Sequence, residues 1–334
     1  MRMGVVDFGA NAVRLVIANA DGEVPLPVHT GKWRLRLSEH LGADGTLGRE
    51  AVLRLSGAAS AARAEAERWG VREPFAFATA VVRDAPNCPE ILADVHRRSG
   101  LRLRVLPGEV EAELTFLAAR RWMGWRAGSL AVLDIGGGTF EIAFGRAEVP
   151  EFAASLPLGA RRLTRDFFGD EDPPPARAVK AVRRHVRRQL RDVAPRIRWE
   201  GPRTAVATSR TFQQLARLCG AAPGREGPFV PRELARRDLR RAVAQLGELP
   251  AARRAELPGI STARSLQCLA GAVVADTVMK MTGIRSADVC PWALREGILL
   301  RATEDRTGTW WTGHGPSAVC GTDGRARLRL AASG

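Results

Sequence analysis

The chain contains no tyrosine, and only three of its 51 basic residues are lysines: Lys32, Lys180 and Lys280. Arginine therefore carries its positive charge. The guanidinium fork suits phosphate geometry, but the arginine excess goes with abundant Ala, Gly and Pro, as GC-rich coding alone would give. No apolar run reaches transmembrane length, and the first residues enter a strand-like segment at once. These two features argue against a membrane span and a signal peptide, and for the cytoplasm. The five cysteines (Cys88, Cys219, Cys268, Cys290 and Cys320) are scattered, odd in number and lack a C-x-x-C pair. That excludes a zinc-ribbon spacing and predicts reduced core or surface thiols. The formal charge of +15 draws polyanions. No aromatic interleaving or helix-turn-helix pattern accompanies it, so nucleic acid is not indicated as a partner.

What is present is a repeated device. Met3–Ile17 and Leu130–Phe144 both read as an apolar run, an Asp, a Gly turn and a second apolar run. Each predicts a buried strand ending in a carboxylate, a tight turn and a returning strand. Glycine lets backbone N–H groups approach a phosphate, and the Asp can hold a hydrated Mg²⁺. A length of 334 residues suggests two domains. Helical periodicity predicts helices over 51–69, 89–99, 109–122, 176–198, 212–220, 231–247, 262–281 and 292–302. Strand signals fall at 33–37, 74–80, 101–106, 130–134, 204–207 and 288–290. This alternation predicts the α/β class. The helix over 176–198 carries a run of arginines, read as a solvated basic face in preference to a specific polyanion track. From about Thr303 the chain has no clear period and predicts a frayed tail.

Six segments, in order, carry a resemblance. Asp7–Leu15, Ala78–Asn87, Pro107–Phe116, Asp134–Glu141, Ser155–Thr164 and Ala293–Gly297 resemble motifs of the exopolyphosphatase / guanosine pentaphosphate phosphohydrolase (Ppx/GppA) family. The resemblance implies the actin-like ATPase fold: two ribonuclease-H-like lobes around a central cleft, here 1–127 and 128–302, with 303–334 as the tail. The last helix is a candidate to pack back on the first lobe. The length leaves no room for the extra helical domain of longer members.

The family releases a terminal phosphate from inorganic polyphosphate or guanosine pentaphosphate, with Mg²⁺ as cofactor. By resemblance, Glu111 orients the attacking water, with Asp7 and Arg83 as further catalytic candidates. Asp134 and Glu141 are the metal candidates. Asn11, Gly136, Gly137, Gly138, Thr139, Thr208, Ser209 and Arg210 are the phosphate-binding candidates. The implied partners are polyphosphate or guanosine polyphosphates and, by family analogy, a second copy of the chain. The sequence departs from the pattern at Ala10 and Ala12, where Ser is usual, and at Val110, Glu113 and Arg210. Losing the two hydroxyls removes two phosphate donors, so a weakly active or inactive sensor of the same fold is the alternative reading. A kinase of the superfamily would need an adenosine-binding Gly pair near Thr208, which is absent.

Overall fold

The computed structural model describes residues 2–20, 25–35, 37–42, 44–304, 320 and 327–330. In chain order its elements are Arg2–Phe8 (β1), Ala12–Asn19 (β2), Leu26–Arg34 (β3), Arg49–Arg68 (α1), Phe75–Ala78 (β4), Ala80–Arg83 (α2), Cys88–Ser99 (α3) and Leu103–Val105 (β5). There follow Gly108–Met123 (α4), Leu130–Ile135 (β6), Phe140–Gly145 (β7), Phe152–Leu156 (β8), Ala160–Phe167 (α5), Ala176–Gln189 (α6) and Val193–Glu200 (α7). The rest are Thr204–Thr208 (β9), Ser209–Leu218 (α8), Glu233–Ala235 (β10), Arg236–Glu248 (α9), Ala251–Arg254 (α10), Cys268–Thr282 (α11), Ser286–Val289 (β11), Leu294–Glu304 (α12) and Arg327–Leu330 (β12).

The chain divides into two compact units. One holds the described part of residues 1–110 with α12 and Cys320; the other holds residues 111–293 with β12. The first unit carries a five-stranded sheet in the order β3-β2-β1-β4-β5. The second carries seven strands, β10-β11-β9-β6-β7-β8-β12. Within the second sheet, β8-β7-β6-β9-β11 repeats the order of the first. The directions repeat too: β1/β2/β3 and β6/β7/β8 are antiparallel, whereas β1/β4/β5 and β6/β9/β11 are parallel. The duplicated hairpin of the sequence is thus the leading edge of a duplicated topology.

Burial explains why these segments are strands. All six residues of β7 are buried, as are five of the six in β6. Strands covered on both faces read as continuous apolar runs. In the second unit α11 is buried almost all round and packs against α5, α6, α7, α8 and α9. In the first, α1 lays Ala51, Leu55, Ala59, Ala62 and Ala66 onto the core and α12 lies beside β1.

Several predicted elements shift. The helix expected over 176–198 is two helices, α6 and α7, parted at Leu190–Asp192. Pro195 explains the break, because proline fits the first turn of a helix and not its interior. On α6, Val182 and Val186 face the core, while Lys180, Arg184, Arg187 and Arg188 are exposed. The helix expected from Pro231 starts later, since Glu233–Ala235 first pairs with β11. The predicted helix 262–281 opens with a 3₁₀ turn, Thr262–Arg264, before α11. The strand signal at 33–37 lies at the end of β3, which starts at Leu26 and stops at Arg34. The expected frayed tail falls largely outside the described residues. The exceptions are the end of α12, Cys320 and β12, which pairs antiparallel with β8.

The cysteine expectation needs correction. Cys88, at the start of α3, is joined to Cys320 in a disulfide with Cα atoms 5.7 Å apart, within bridging range. The two are 232 positions apart, so no local spacing signals the pair. Cys219, Cys268 and Cys290 form no disulfide among the described residues. A bridge closing so long a loop restricts the unfolded chain and contributes about 2–4 kcal/mol. Reductant is therefore expected to lower the Tm of the wild-type protein by several degrees and to leave Cys88→Ser unchanged, as followed by calorimetry.

Candidate active site

The site in the second unit is built on strand register. Across four adjacent strands the directly opposed residues are Ser155, Glu141, Asp134 and Thr208. Opposed residues share one face of a sheet, so a single polar row crosses the sheet where β6 ends. Thr208 Oγ1 donates to Asp134 Oδ2 at 2.5 Å, and Ser155 Oγ donates to Glu141 Oε1 at 2.9 Å. The Thr139 hydroxyl also bonds the Glu141 carboxylate. Glu111, in the first turn of α4 and only 6 % exposed, brings a further negative charge to this row.

This crowding sets the electrostatics. Burial pushes the Glu141 carboxyl well above its usual range, and the charges of Glu111 and Asp134 push it further. The hydrogen bonds from Thr139 and Ser155 oppose the shift without cancelling it. Buried like charges of this kind are relieved by protonation or by a bound cation.

Beside the row runs the loop Gly136–Gly138. Gly136 N–H donates to the Thr139 carbonyl at 2.9 Å, closing the hairpin. The loop carbonyls are taken by the start of α5 and the residue before it: Ala160 N–H bonds Gly136 O, Arg161 and Arg162 N–H bond Gly137 O, and Gly159 N–H bonds Gly138 O. In a trans peptide the C=O and the following N–H point in opposite directions. The amides of Gly137, Gly138 and Thr139 therefore point away from α5 as a row of donors, which is an anion-binding arrangement. Gly159 makes this possible, because a Cβ there would collide with the backbone of Gly137 and Gly138.

The first unit repeats the turn with different charge. Gly9 N–H bonds Ala12 O, and Leu35 and Leu37 N–H bond the Asn11 and Ala10 carbonyls. Asp7 stands where Asp134 stands in the other hairpin, but the residue opposite it is Arg14, not a carboxylate. Its carboxyl is raised chiefly by burial, with Arg295 and Arg14 pulling it down and Glu296 pushing it up. Arg295 Nε lies 3.9 Å from Asp7 Oδ2.

The remaining candidates fall in several places. Arg83 is buried, its Nε on Asp84 at 3.2 Å and its Nη1 on the Leu106 carbonyl at 3.0 Å. It thus grips the turn from which α4 departs. Ser209 has φ of 72° and a buried hydroxyl with no hydrogen-bond partner among the described residues. The left-handed backbone costs a non-glycine residue roughly 1–2 kcal/mol, and such strain gathers at functional sites. Arg210 is exposed and bonds Gln213 at 3.3 Å. Sequence reasoning missed Ser155, Gly159 and Arg161. The Ser155–Thr164 segment contained all three, but only strand register and loop contacts reveal what they do.

The duplicated sheet with a phosphate-type turn at the end of each first strand is the actin-like α/β fold, and its second hairpin is equipped for phosphoryl chemistry. The Ppx/GppA phosphatase family model matches residues 15–305. An uncharacterized protein of Streptomyces coelicolor is 62% identical, covering 93% of each chain. Exopolyphosphatase 1 of Mycobacterium leprae is 45% identical, covering 90% of this chain and 89% of its own. Among solved structures, the PPX-GPPA enzyme of Aquifex aeolicus superimposes with a TM-score of 0.77 at 26% identity, covering 90% of this chain and 99% of that one. The chain belongs to the Ppx/GppA phosphatase family and is a phosphoanhydride hydrolase.

Two outcomes follow from the geometry. Gly159→Ala is expected to cost about 1–3 kcal/mol of stability by overpacking the loop, read by thermal unfolding. Glu141→Gln removes a carboxylate whose folded pKa lies above its unfolded value of about 4.3. In the wild type that raised pKa is a penalty that grows as pH rises from the unfolded towards the folded value. The variant's Tm is therefore expected to match the wild type near pH 4 and to exceed it increasingly towards neutrality.

Proposed function

We propose that this protein is a cytoplasmic, Mg²⁺-assisted exopolyphosphatase that releases terminal orthophosphate from inorganic polyphosphate, with guanosine pentaphosphate as its second substrate. The observation that carries the reading is the meeting of Glu111, Asp134 and Glu141 beside a loop whose amides form an anion cradle. The Mycobacterium relative named an exopolyphosphatase supports polyphosphate as the substrate class.

The donors fit the cation. Asp134 and Glu141 offer hard oxygens, and the charge excess that lifts the Glu141 pKa is what a divalent ion would offset. Among the described residues no three His, Cys, Asp or Glu side chains enclose a metal ion by themselves. Mg²⁺ does not need such a cage, since it keeps waters and substrate oxygens in its shell and takes one or two carboxylates. Bound there, it would neutralise charge on the phosphoryl oxygens.

The chain's own residues then divide the work. The amides of Gly137, Gly138 and Thr139 hold the oxygens of the terminal phosphate. Glu111 orients a water in line with the phosphorus and accepts its proton. The water oxygen bonds to phosphorus, the bridging P–O bond breaks, and its electron pair leaves with the shortened chain. Thr208 holds Asp134 in place through its hydroxyl, and the Ser209 hydroxyl and Arg210 serve the bound chain. Asp7 and Asn11 take their roles from the equivalent hairpin of the first unit, as helpers in water positioning and phosphate donation. Arg83 acts through Leu106 by holding the start of the Glu111 helix.

The test is orthophosphate release from polyphosphates of defined length and from guanosine pentaphosphate, with Mg²⁺, by wild type and Glu111→Gln. The wild type should turn over, and the variant should fall on the order of 10²–10⁴-fold while still binding polyphosphate. Equal inactivity with equal binding in both proteins would establish the sensor reading instead.

A further inference from the structure

Arg161 is the second residue of α5, and among the described residues no counter-charge reaches it. Its own N–H donates to the Gly137 carbonyl at 3.0 Å. Its side chain folds back over the same loop, so that Nη2 occupies the place a Cβ on Gly137 would need. Its Nε is buried with no hydrogen-bond partner, and no carboxylate pairs with it among the described residues. A guanidinium carries five N–H donors and keeps its charge, so covering part of it with no counter-charge is unfavourable. Burial, with the nearby charge of Arg165, lowers its pKa to about 10.

Its place in the helix adds a second penalty. The start of a helix is the positive end of its dipole and favours anions. Here the first turn of α5 holds Arg161 and Arg162 and no acid. Both penalties disappear once an anion sits over the loop. The amides of Gly137, Gly138 and Thr139 converge on the same requirement, because they face away from α5, which takes the loop carbonyls.

We infer that Arg161 is a phosphate-binding side chain that works with the Gly136–Gly138 amides on a non-bridging oxygen of polyphosphate, and on the orthophosphate product. The inference rests on the loop being the phosphate site of the proposed hydrolase. It makes Gly137 necessary for a second reason, since any side chain there would displace the guanidinium.

The experiment measures binding separately from turnover. In the full chain carrying Glu111→Gln, calorimetry with polyphosphate of defined length and with orthophosphate compares Arg161, Arg161→Met and Arg161→Lys. Losing a charge-assisted hydrogen bond should weaken both ligands about tenfold or more in Arg161→Met. Arg161→Lys should recover part of that loss, since it restores the charge but not the fork. The Tm of Arg161→Met, without ligand, should equal or exceed that of its parent, because a half-buried cation with no counter-charge has gone. Unchanged affinity in Arg161→Met overturns the inference. So does an affinity loss that comes with a lower Tm and is not restored at all by Arg161→Lys. If the wild type releases no orthophosphate, the hydrolase reading fails, and the binding comparison still decides the role of Arg161.

Discussion

The organising constraint of this protein is the crowding of negative charge around Glu141. Strand register sets Glu141 directly beside Asp134, and α4 brings Glu111 to the same buried place. A fold selected for stability alone would not put these carboxylates together, because each raises the cost of ionising the next. Thr139, Ser155 and Thr208 supply hydroxyls to the carboxylates but no positive charge. Glu141 is therefore held among like charges, a state that a bound cation would relieve. The Gly136–Gly138 amides and Arg161 show the complementary imbalance, an excess of donors and positive charge with no anion. Acidic and basic groups on one loop are what the proposed metal-assisted phosphate site would use.

The two hairpins share a fold and differ in charge. In the first unit Asp7 faces Arg14 across the strand pair and has Arg295 near it, so its carboxylate is partly compensated by the protein itself. In the second, Asp134 faces another carboxylate. The two turns are equivalent in topology, and the position opposite the Asp holds a cation in one and a carboxylate in the other. The hydroxyls missing at Ala10 and Ala12 fall in the first copy, where Arg14 faces Asp7. The second copy, where the carboxylate row and the amide cradle lie, is intact.

Much of this was legible in the amino-acid order. Apolar runs ending in Asp-x-Gly define both hairpins because a strand buried on two faces leaves its composition in the sequence. Glu111, Asp134, Glu141 and Thr208 could be singled out by motif, and the structure brings them into one cluster in the second unit. What was not legible depends on contacts between distant segments. The Cys88–Cys320 bridge leaves no spacing signal. The break between α6 and α7 was hidden by a periodicity of arginines and branched apolar residues that continues past Pro195 to Ile197 and Arg198. Gly159 reads as a helix-start glycine and turns out to be a place where two backbones touch. Arg161 looked like one more arginine in an arginine-rich chain; only its fold over Gly137, with Nε buried and no partner among the described residues, sets it apart. Arg83, a catalytic candidate by motif, is seen only in the structure to bond Asp84 and the Leu106 carbonyl.

The central claim is that the carboxylate row is a divalent-cation site in the folded chain. The most direct measurement is thermal unfolding during a Mg²⁺ titration, at neutral pH and without substrate, of wild type and Asp134→Asn. A ligand that binds only the folded state raises Tm with concentration. The account predicts a saturable rise in the wild type and a flat response in Asp134→Asn. Equal responses in the two proteins would contradict it.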